Sequence, residues 1–93
     1  MFVGTCKISL SIHGATSLKM KRKIVKSLKD KVRSRFNVSI SEIANHDIYQ
    51  SSILGVCVVS SEQSHADRQL QAVFNFISQN ATVDNVSMEY MRL

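Results

Sequence analysis

The chain has 93 residues, no proline, three glycines and a net charge of +5. This composition suits one small domain spanning residues 1–93 and excludes a linker-like or disordered polypeptide. No apolar run approaches the roughly 20 residues of a membrane-spanning helix, and the N-terminus lacks the blocks of a signal peptide, so we expect a cytoplasmic protein. Two cysteines without C-x-x-C spacing, Cys6 and Cys57, indicate packed thiols instead of a metal or redox site.

The first predicted strand is Phe2 to Ile12, because apolar side chains recur there at nearly every second position. A helix is predicted from Ser17 to Phe36, with Thr16 or Ser17 as its N-cap. At about 100° per residue, one side of this helix is apolar and the opposite side is basic. The residues expected on or near the apolar side are Leu18, Met20, Ile24, Val25, Leu28, Val32 and Phe36.

Three further strands are predicted from their side-chain patterns. Asn37 to Ala44 alternates at first and then loses its pattern, as an edge strand does. Ile53 to Val59 is apolar at both alternations, which indicates a central strand covered on both faces or one whose outer face meets a partner. Val83 to Leu93 alternates again and is predicted as the last strand.

A second helix is predicted between the last two strands. It begins near Ser60, where Ser60 with Gln63, or Ser64 with Asp67, has the spacing of a capping box. Apolar residues then follow helical spacing until Asn80, which we expect to end the helix.

The predicted order is therefore strand, helix, strand, strand, helix, strand. The simplest assembly of this order is an α+β ferredoxin-like βαββαβ sandwich, with a four-stranded antiparallel sheet and two helices on one face. The right-handed crossover rule makes the first and third strands adjacent and central. One face of the sheet is then left open.

Charge is concentrated in the first helix. Residues 17–36 contain nine of the twelve lysines and arginines and a single acid, Asp30. The remainder carries three basic and six acidic residues, so the positive field is local to the helix. On the helix, Lys21, Lys31 and Arg35 fall on or beside the apolar stripe, where their stems can cover apolar surface while the charged tips reach water.

The start of the first helix breaks a rule of helix electrostatics. Four cations occupy its first turns: Lys19, Lys21, Arg22 and Lys23. Cations there oppose the helix dipole, at a cost of a few tenths to about 1 kcal/mol each. Cations placed against the helix dipole, without a stabilising contact inside the protein, indicate a functional role. The free N–H groups at that end of the helix also favour an anion. The residues predicted to contact phosphate are Ser17, Lys19, Lys21, Arg22, Lys23, Lys26 and Arg33.

No motif for catalysis is present. The chain lacks a G-x-S-x-G elbow, a P-loop, a dinucleotide fingerprint and any pair of histidines with metal-ligand spacing. We therefore expect no enzyme activity and no cofactor. The predicted central strands also lack the outward aromatic side chains on which an RRM domain stacks bases, so a sheet-based RNA readout is not expected.

Three short runs are distinctive: Ser17-Leu18-Lys19-x-Lys21-Arg22, Arg35-Phe36-Asn37-Val38-Ser39 and Leu54-Gly55-Val56. With them, nearly the whole chain resembles the YlxP-like family of small bacterial proteins. Ile48-Tyr49 stands where that family usually has Leu-Trp, and Met20 where a charged residue is common. The resemblance implies a ferredoxin-like fold. It carries over no catalytic residues, and the frequent proximity of the family's genes to those of translation factors implies a role near RNA.

These observations predict a non-enzymatic protein that associates with RNA or the ribosome through phosphate contacts of its first helix. Two alternatives stay open. In one, the protein is an interaction module whose basic face meets an acidic protein and whose open sheet face forms a homodimer. In the other, the start of the first helix holds a small phosphorylated ligand.

Overall fold

The computed structural model describes all residues from 1 to 93. Six elements follow one another as β1 Phe2–Ser11, α1 Leu18–Arg35, β2 Ser39–Ala44, β3 Ser51–Ser60, α2 Gln63–Asn80 and β4 Thr82–Arg92. The predicted order of elements is confirmed, and most predicted boundaries differ from the observed ones by at most two residues. Pairing with β1 extends β3 to Ser51 and Ser60, and the largest difference is at α2, which begins three residues after Ser60.

The strands form one antiparallel sheet in the order β2-β3-β1-β4. The first and third strands are therefore adjacent and central, as predicted. β2 is an edge strand whose pairing with β3 shifts between Glu42 and Ala44, which explains its weakening alternation. The fold is the expected ferredoxin-like sandwich, with four antiparallel strands and two helices.

The core lies between the sheet and the two helices and contains sixteen buried apolar residues. β1 contributes Cys6, Ile8 and Leu10, and β3 contributes Leu54, Val56 and Val58 at alternate positions. Gly4 on β1 marks the closest approach of α2, because a Cβ there would lie 2.9 Å from Leu70 Cδ1. The missing side chain thus lets α2 dock directly on the central strand.

The second helix begins differently from the prediction. Its N-cap is Glu62, whose side chain makes no capping hydrogen bond. Ser60 Oγ instead accepts a hydrogen bond from the Glu62 amide at 3.1 Å, one residue before the Gln63 amide that the predicted capping box requires. Asn80 is the last helical residue, as expected.

Candidate nucleic-acid interface

Ser17 is the N-cap of α1. Its backbone is extended, with φ −156° and ψ 162°, and its Oγ accepts a hydrogen bond from the Met20 amide at 3.1 Å. The Ser17 carbonyl also accepts from the Lys21 amide at 3.0 Å. The predicted N-cap is therefore confirmed. The cap uses the hydroxyl oxygen as an acceptor, so the O–H of Ser17 stays free to donate a hydrogen bond to an anion.

Lys19, Arg22 and Lys23 are the exposed cations of the first turns of α1. None of them has a carboxylate oxygen within 4.0 Å, since the three ion pairs of the chain involve other cations. The first turn of α1 contains no acid. These three charges are therefore compensated only by solvent, beside backbone dipoles that already carry a partial positive charge.

Further along the helix, Lys26 and Arg33 share the only acid of α1, Asp30. The Lys26 ammonium lies 2.7 Å from Asp30 Oδ2, and Arg33 Nη1 lies 3.6 Å from Asp30 Oδ1. The Lys26 hydrogen bond is the main cause that holds the pKa of Asp30 below its ordinary value. Arg33 Nη2 also donates to the Ile40 carbonyl at 2.9 Å, which ties α1 to β2. Both side chains remain largely exposed, but each already has protein partners.

A shallow groove runs along the outward side of α1. Six residues line it, none of them apolar: Lys23, Lys26, Ser27, Asp30, Lys31 and Ser34. The twelve helical residues from Lys23 to Ser34 correspond to about 18 Å, so this groove can meet several phosphates of an extended strand. Its serine hydroxyls supply neutral donors between the ammonium groups.

The prediction that Lys21 contacts phosphate is wrong, because this side chain is buried with an exposed fraction of 1%. Its ammonium lies 3.0 Å from Glu42 Oε2 on β2. It also donates to the Asn45 carbonyl and lies 3.5 Å from the His46 carbonyl. All three N–H donors of the ammonium thus have acceptors, and the charge is satisfied inside the protein.

Glu42 completes this internal site. Its side chain is 14% exposed, and its Oε2 also accepts a hydrogen bond from Ser52 Oγ at 2.6 Å. Burial alone would raise the pKa of Glu42, but the hydrogen bonds from Ser52 and Lys21 outweigh it and lower the pKa below its ordinary value. The carboxylate therefore stays charged and fastens the first turns of α1 to β2 and the β2–β3 connection.

The apolar stripe of α1 is rotated relative to the prediction. Its buried residues are Lys21, Val25, Leu28 and Val32. Ile24 and Met20, predicted near the apolar side, are 39% and 40% exposed. The sequence carried a signal for this rotation, because residues 21, 25, 28 and 32 follow the i, i+4, i+7, i+11 spacing of a buried helix face.

The outer face of the sheet carries no aromatic side chain on its central strands. β1 presents Val3, Thr5, Lys7, Ser9 and Ser11 there, and β3 presents Ile53, Gly55, Cys57 and Val59. Ile43 lies over Gly55, where a Cβ would meet its Cγ2 at 2.9 Å. This face therefore offers no stacking platform for bases on its central strands.

The two thiols occupy opposite faces of the sheet. Cys6 is buried, and burial raises the pKa of its thiol to about 11. Cys57 is only partly buried, on the outer face, so the expectation of two packed thiols holds fully for Cys6 alone. No helix of the chain is long and apolar enough to cross a membrane. No three histidine, cysteine or acidic side chains are grouped as metal ligands.

Comparison with known proteins gives a family and a fold. Residues 3–90 match the family described as "Protein of unknown function (DUF503)". The uncharacterized protein YlxP of Bacillus subtilis (strain 168) is 39% identical over 75 residues, which cover 81% of this chain and 82% of that protein.

Two designed proteins share the architecture at low identity. The de novo designed protein Foldit4 matches with a TM-score of 0.55 and 11% identity, covering 99% of this chain and 97% of the design. The de novo designed protein LFR1 1, with ferredoxin fold, matches with a TM-score of 0.52 and 15% identity, covering 98% of this chain and 83% of the design. The fold is thus ferredoxin-like, and the chain belongs to the DUF503 family, which confirms its resemblance to the YlxP-like proteins.

Proposed function

We propose that this protein is a non-enzymatic RNA- or ribosome-associated protein that contacts phosphates through the exposed side of α1. The contacts are made by Lys19, Arg22, Lys23 and Lys26, with Arg33 at the far end of the same side. Lys21 is not part of this surface because Glu42 neutralises it inside the fold.

One observation carries the proposal. Three cations in the first turns of α1, Lys19, Arg22 and Lys23, have no carboxylate partner, although they belong to the positive end of the helix dipole. This arrangement works against the helix dipole and is not used by the packing of the helix. An external polyanion compensates all of these charges at once, which supports nucleic acid as the partner.

The first test measures binding to ribosomal RNA fragments by fluorescence anisotropy at several salt concentrations. If about four phosphates of a single strand are contacted, the logarithm of the binding constant falls against the logarithm of salt concentration with a slope near −3. Binding that is absent at low salt, or unchanged between low and high salt, contradicts the proposal. Fragments of different sequence are expected to bind alike, because phosphate contacts carry no base information.

The second test reverses charges at matched positions. The triple variant Arg22→Glu/Lys23→Glu/Lys26→Glu is expected to lose RNA binding without loss of helical circular dichroism. Its control reverses the only three cations outside α1, Lys7, Arg68 and Arg92, which changes the net charge by the same amount. Equal loss of binding in both variants means that net charge, and not the α1 surface, governs the interaction.

A second candidate function, homodimerisation through the open sheet face, is favoured by a row of apolar side chains. Val59 on β3 and Met91 on β4 flank Val3 on β1, and they are 62% and 49% exposed. Such a row is a self-complementary contact for a second copy. Analytical ultracentrifugation tests it: Val59→Lys is expected to shift a dimer to a monomer. A wild-type protein that sediments as a monomer at high concentration contradicts this candidate.

A further inference from the structure

A cleft of about 510 Å³ opens between α1 and the α2–β4 junction, where β1 ends and β4 begins. One wall is formed by α1 between Lys23 and Lys31. The other wall is formed by the turn that follows β1 and by the α2–β4 junction, residues 80–82. The buried residues that face the cleft are apolar: Leu10, Ile12, Val25 and Leu28. The cleft therefore has an apolar floor that reaches the core of the protein.

The rim of the cleft is cationic. Lys23 and Lys31 are exposed and in no ion pair, and His13 belongs to the opposite wall. None of the fourteen lining residues is acidic. Asp84 lies outside the lining and accepts a hydrogen bond from Ser11 Oγ. The electrostatic preference of this cleft is therefore for an anion.

Ile24 distinguishes this cleft from a generic basic surface. It is 39% exposed and lies on the α1 wall between the two lysines. Ile24 is not among the buried residues that pack α1 against the sheet. Its branched apolar side chain also cannot contact a phosphate through a charge or a hydrogen bond. An exposed apolar residue on the wall of a cleft with an apolar floor is suited to holding the body of a ligand.

We propose that the cleft between α1 and the α2–β4 junction binds a small amphipathic anion, a carboxylate or sulfonate carried on an apolar or aromatic body. The apolar body lies against Ile24 and the floor, and the acidic group lies at the rim beside Lys23 and Lys31. An inorganic anion would not pack against the apolar floor, and a neutral apolar molecule would not form an ion pair with the lysines. The volume falls in the range of sites that enclose small organic ligands, about 300–1,000 Å³.

This site differs from the RNA-binding surface proposed above in residues and in ligand. Lys23, Ser27 and Lys31 line both the cleft and the groove along the outward side of α1, whereas Ile24 and His13 line the cleft alone. The single variant Ile24→Ser therefore tests the cleft while leaving the proposed RNA contacts intact, and failure of one proposal does not decide the other.

The test uses a pair of fluorescent probes of similar shape. Anilinonaphthalene sulfonate is an aromatic anion, and N-phenylnaphthylamine is its neutral analogue. We expect saturable binding of the anion to the full chain, with a dissociation constant below about 1 mM, and weaker binding of the neutral probe. Amide chemical-shift changes in isotopically labelled protein are expected at residues 10–14, 23–31 and 80–82.

Two variants and a control locate the site. Lys23→Gln/Lys31→Gln is expected to weaken binding of the sulfonate about tenfold and of the neutral probe less than twofold. Ile24→Ser is expected to weaken both probes about fivefold. The matched control Lys19→Gln/Lys26→Gln, which removes two charges from the outward side of the same helix, is expected to change neither by more than twofold.

The proposal is overturned by any of three results. These are the absence of saturable binding by the sulfonate, chemical-shift changes centred on the outer sheet face, and equal losses of affinity in the two lysine pairs. The variants are checked for native amide dispersion before titration. Because Lys31 and Ile24 are exposed, their substitution is not expected to unfold the protein.

Discussion

α1 and α2 each contain 18 residues, and each buries four side chains at the same intervals along the helix. The buried residues are Lys21, Val25, Leu28 and Val32 in α1, and Ala66, Leu70, Val73 and Ile77 in α2. The two sets differ mainly at their first position. There α1 has a lysine that is ion-paired with Glu42, whereas α2 has an alanine that lies directly against the core.

This difference shows that one packing geometry accommodates two ways of docking a helix. α2 is held by shape, since Gly4 leaves room for Leu70 on the central strand. α1 is held at its start by charge, since the buried lysine joins it to β2 and to the β2–β3 connection. The cost of burying this ion pair is offset only while both partners are present. Variants that remove one partner therefore distinguish the two modes of docking.

The largest effect is expected at Lys21. The variant Lys21→Ala leaves the carboxylate of Glu42 mostly buried without a cation, which is expected to lower the free energy of unfolding by about 3–5 kcal/mol. The double variant Lys21→Met/Glu42→Gln keeps the acceptor for Ser52 and removes both charges, so it is expected to lose less than about 1.5 kcal/mol. Urea denaturation measures both values.

Two results would contradict this expectation. If the double variant is as unstable as Lys21→Ala, then the contacts of the ammonium with Glu42 and with the Asn45 and His46 carbonyls are what α1 requires, because methionine keeps the volume of the lysine stem. If Lys21→Ala is as stable as the wild type, then Lys21 is solvated in solution and the comparison between the helices fails.

The next largest effect tests docking by shape in α2. In Gly4→Ala the added Cβ meets Leu70 Cδ1 at 2.9 Å and Val58 Cγ1 at 3.1 Å, so α2 or its side chains must shift. We expect a loss of about 1–3 kcal/mol in the free energy of unfolding. Gly14→Ala is the matched control, because a Cβ there meets nothing within 4 Å. Equal stability of the two variants would falsify the close approach of α2 to β1.

The helices and strands could be predicted from the sequence, but the side-chain contacts between them could not. Alternation and helical spacing predicted all six elements, and the crossover rule predicted the two central strands. The burial of Lys21 was missed because its partner, Glu42, lies on another element. The direction of the Glu42 side chain toward the core could have been predicted, because Glu42 lies two residues after the apolar Ile40 on the same strand.

The candidate sites were predictable to a similar degree. The exposed cations follow from helical spacing alone, so the basic side of α1 was identified correctly as a surface. The contact of Arg33 with the Ile40 carbonyl was not predictable, because it depends on how far the helix lies from β2. The cleft between α1 and the α2–β4 junction was missed for the same reason, since residues from three separate segments line it.

A smaller effect on the free energy of unfolding is expected from variants at the N-caps of α1 and α2. Ser17→Ala removes the side-chain cap of α1 and is expected to cost about 1 kcal/mol. Glu62 makes no side-chain cap for α2, so Glu62→Ala is expected to change the free energy of unfolding by less than about 0.5 kcal/mol. Glu62→Ser, which supplies a capping hydroxyl, is expected to add roughly 0.5–1 kcal/mol. Thermal unfolding of the three variants measures this order, and a large loss in Glu62→Ala contradicts it.

The smallest effect is a difference in pH dependence between the two docking modes. Glu42, which faces α1, has a pKa below the ordinary pKa of a glutamate. Its contribution to the free energy of unfolding is therefore complete when the pH is above the ordinary pKa, and it is lost as the pH falls through the lowered pKa. Tyr90 on β4 donates a hydrogen bond to Asp67 of α2, and burial followed by this bond raises its pKa to about 12. The contribution of Tyr90 to the free energy of unfolding is therefore complete when the pH is below the ordinary pKa of 10.0, and it is lost as the pH rises toward 12.

Acid is thus expected to weaken the docking of α1 and alkali that of α2. In Tyr90→Phe the alkaline loss of stability is expected to disappear while the acid loss remains. In Lys21→Met/Glu42→Gln the acid loss is expected to shrink while the alkaline loss remains. Urea denaturation across the pH range measures both. Loss of the alkaline dependence in the double variant would show that the two ends of the sheet are coupled, because Glu42 and Tyr90 belong to opposite edge strands.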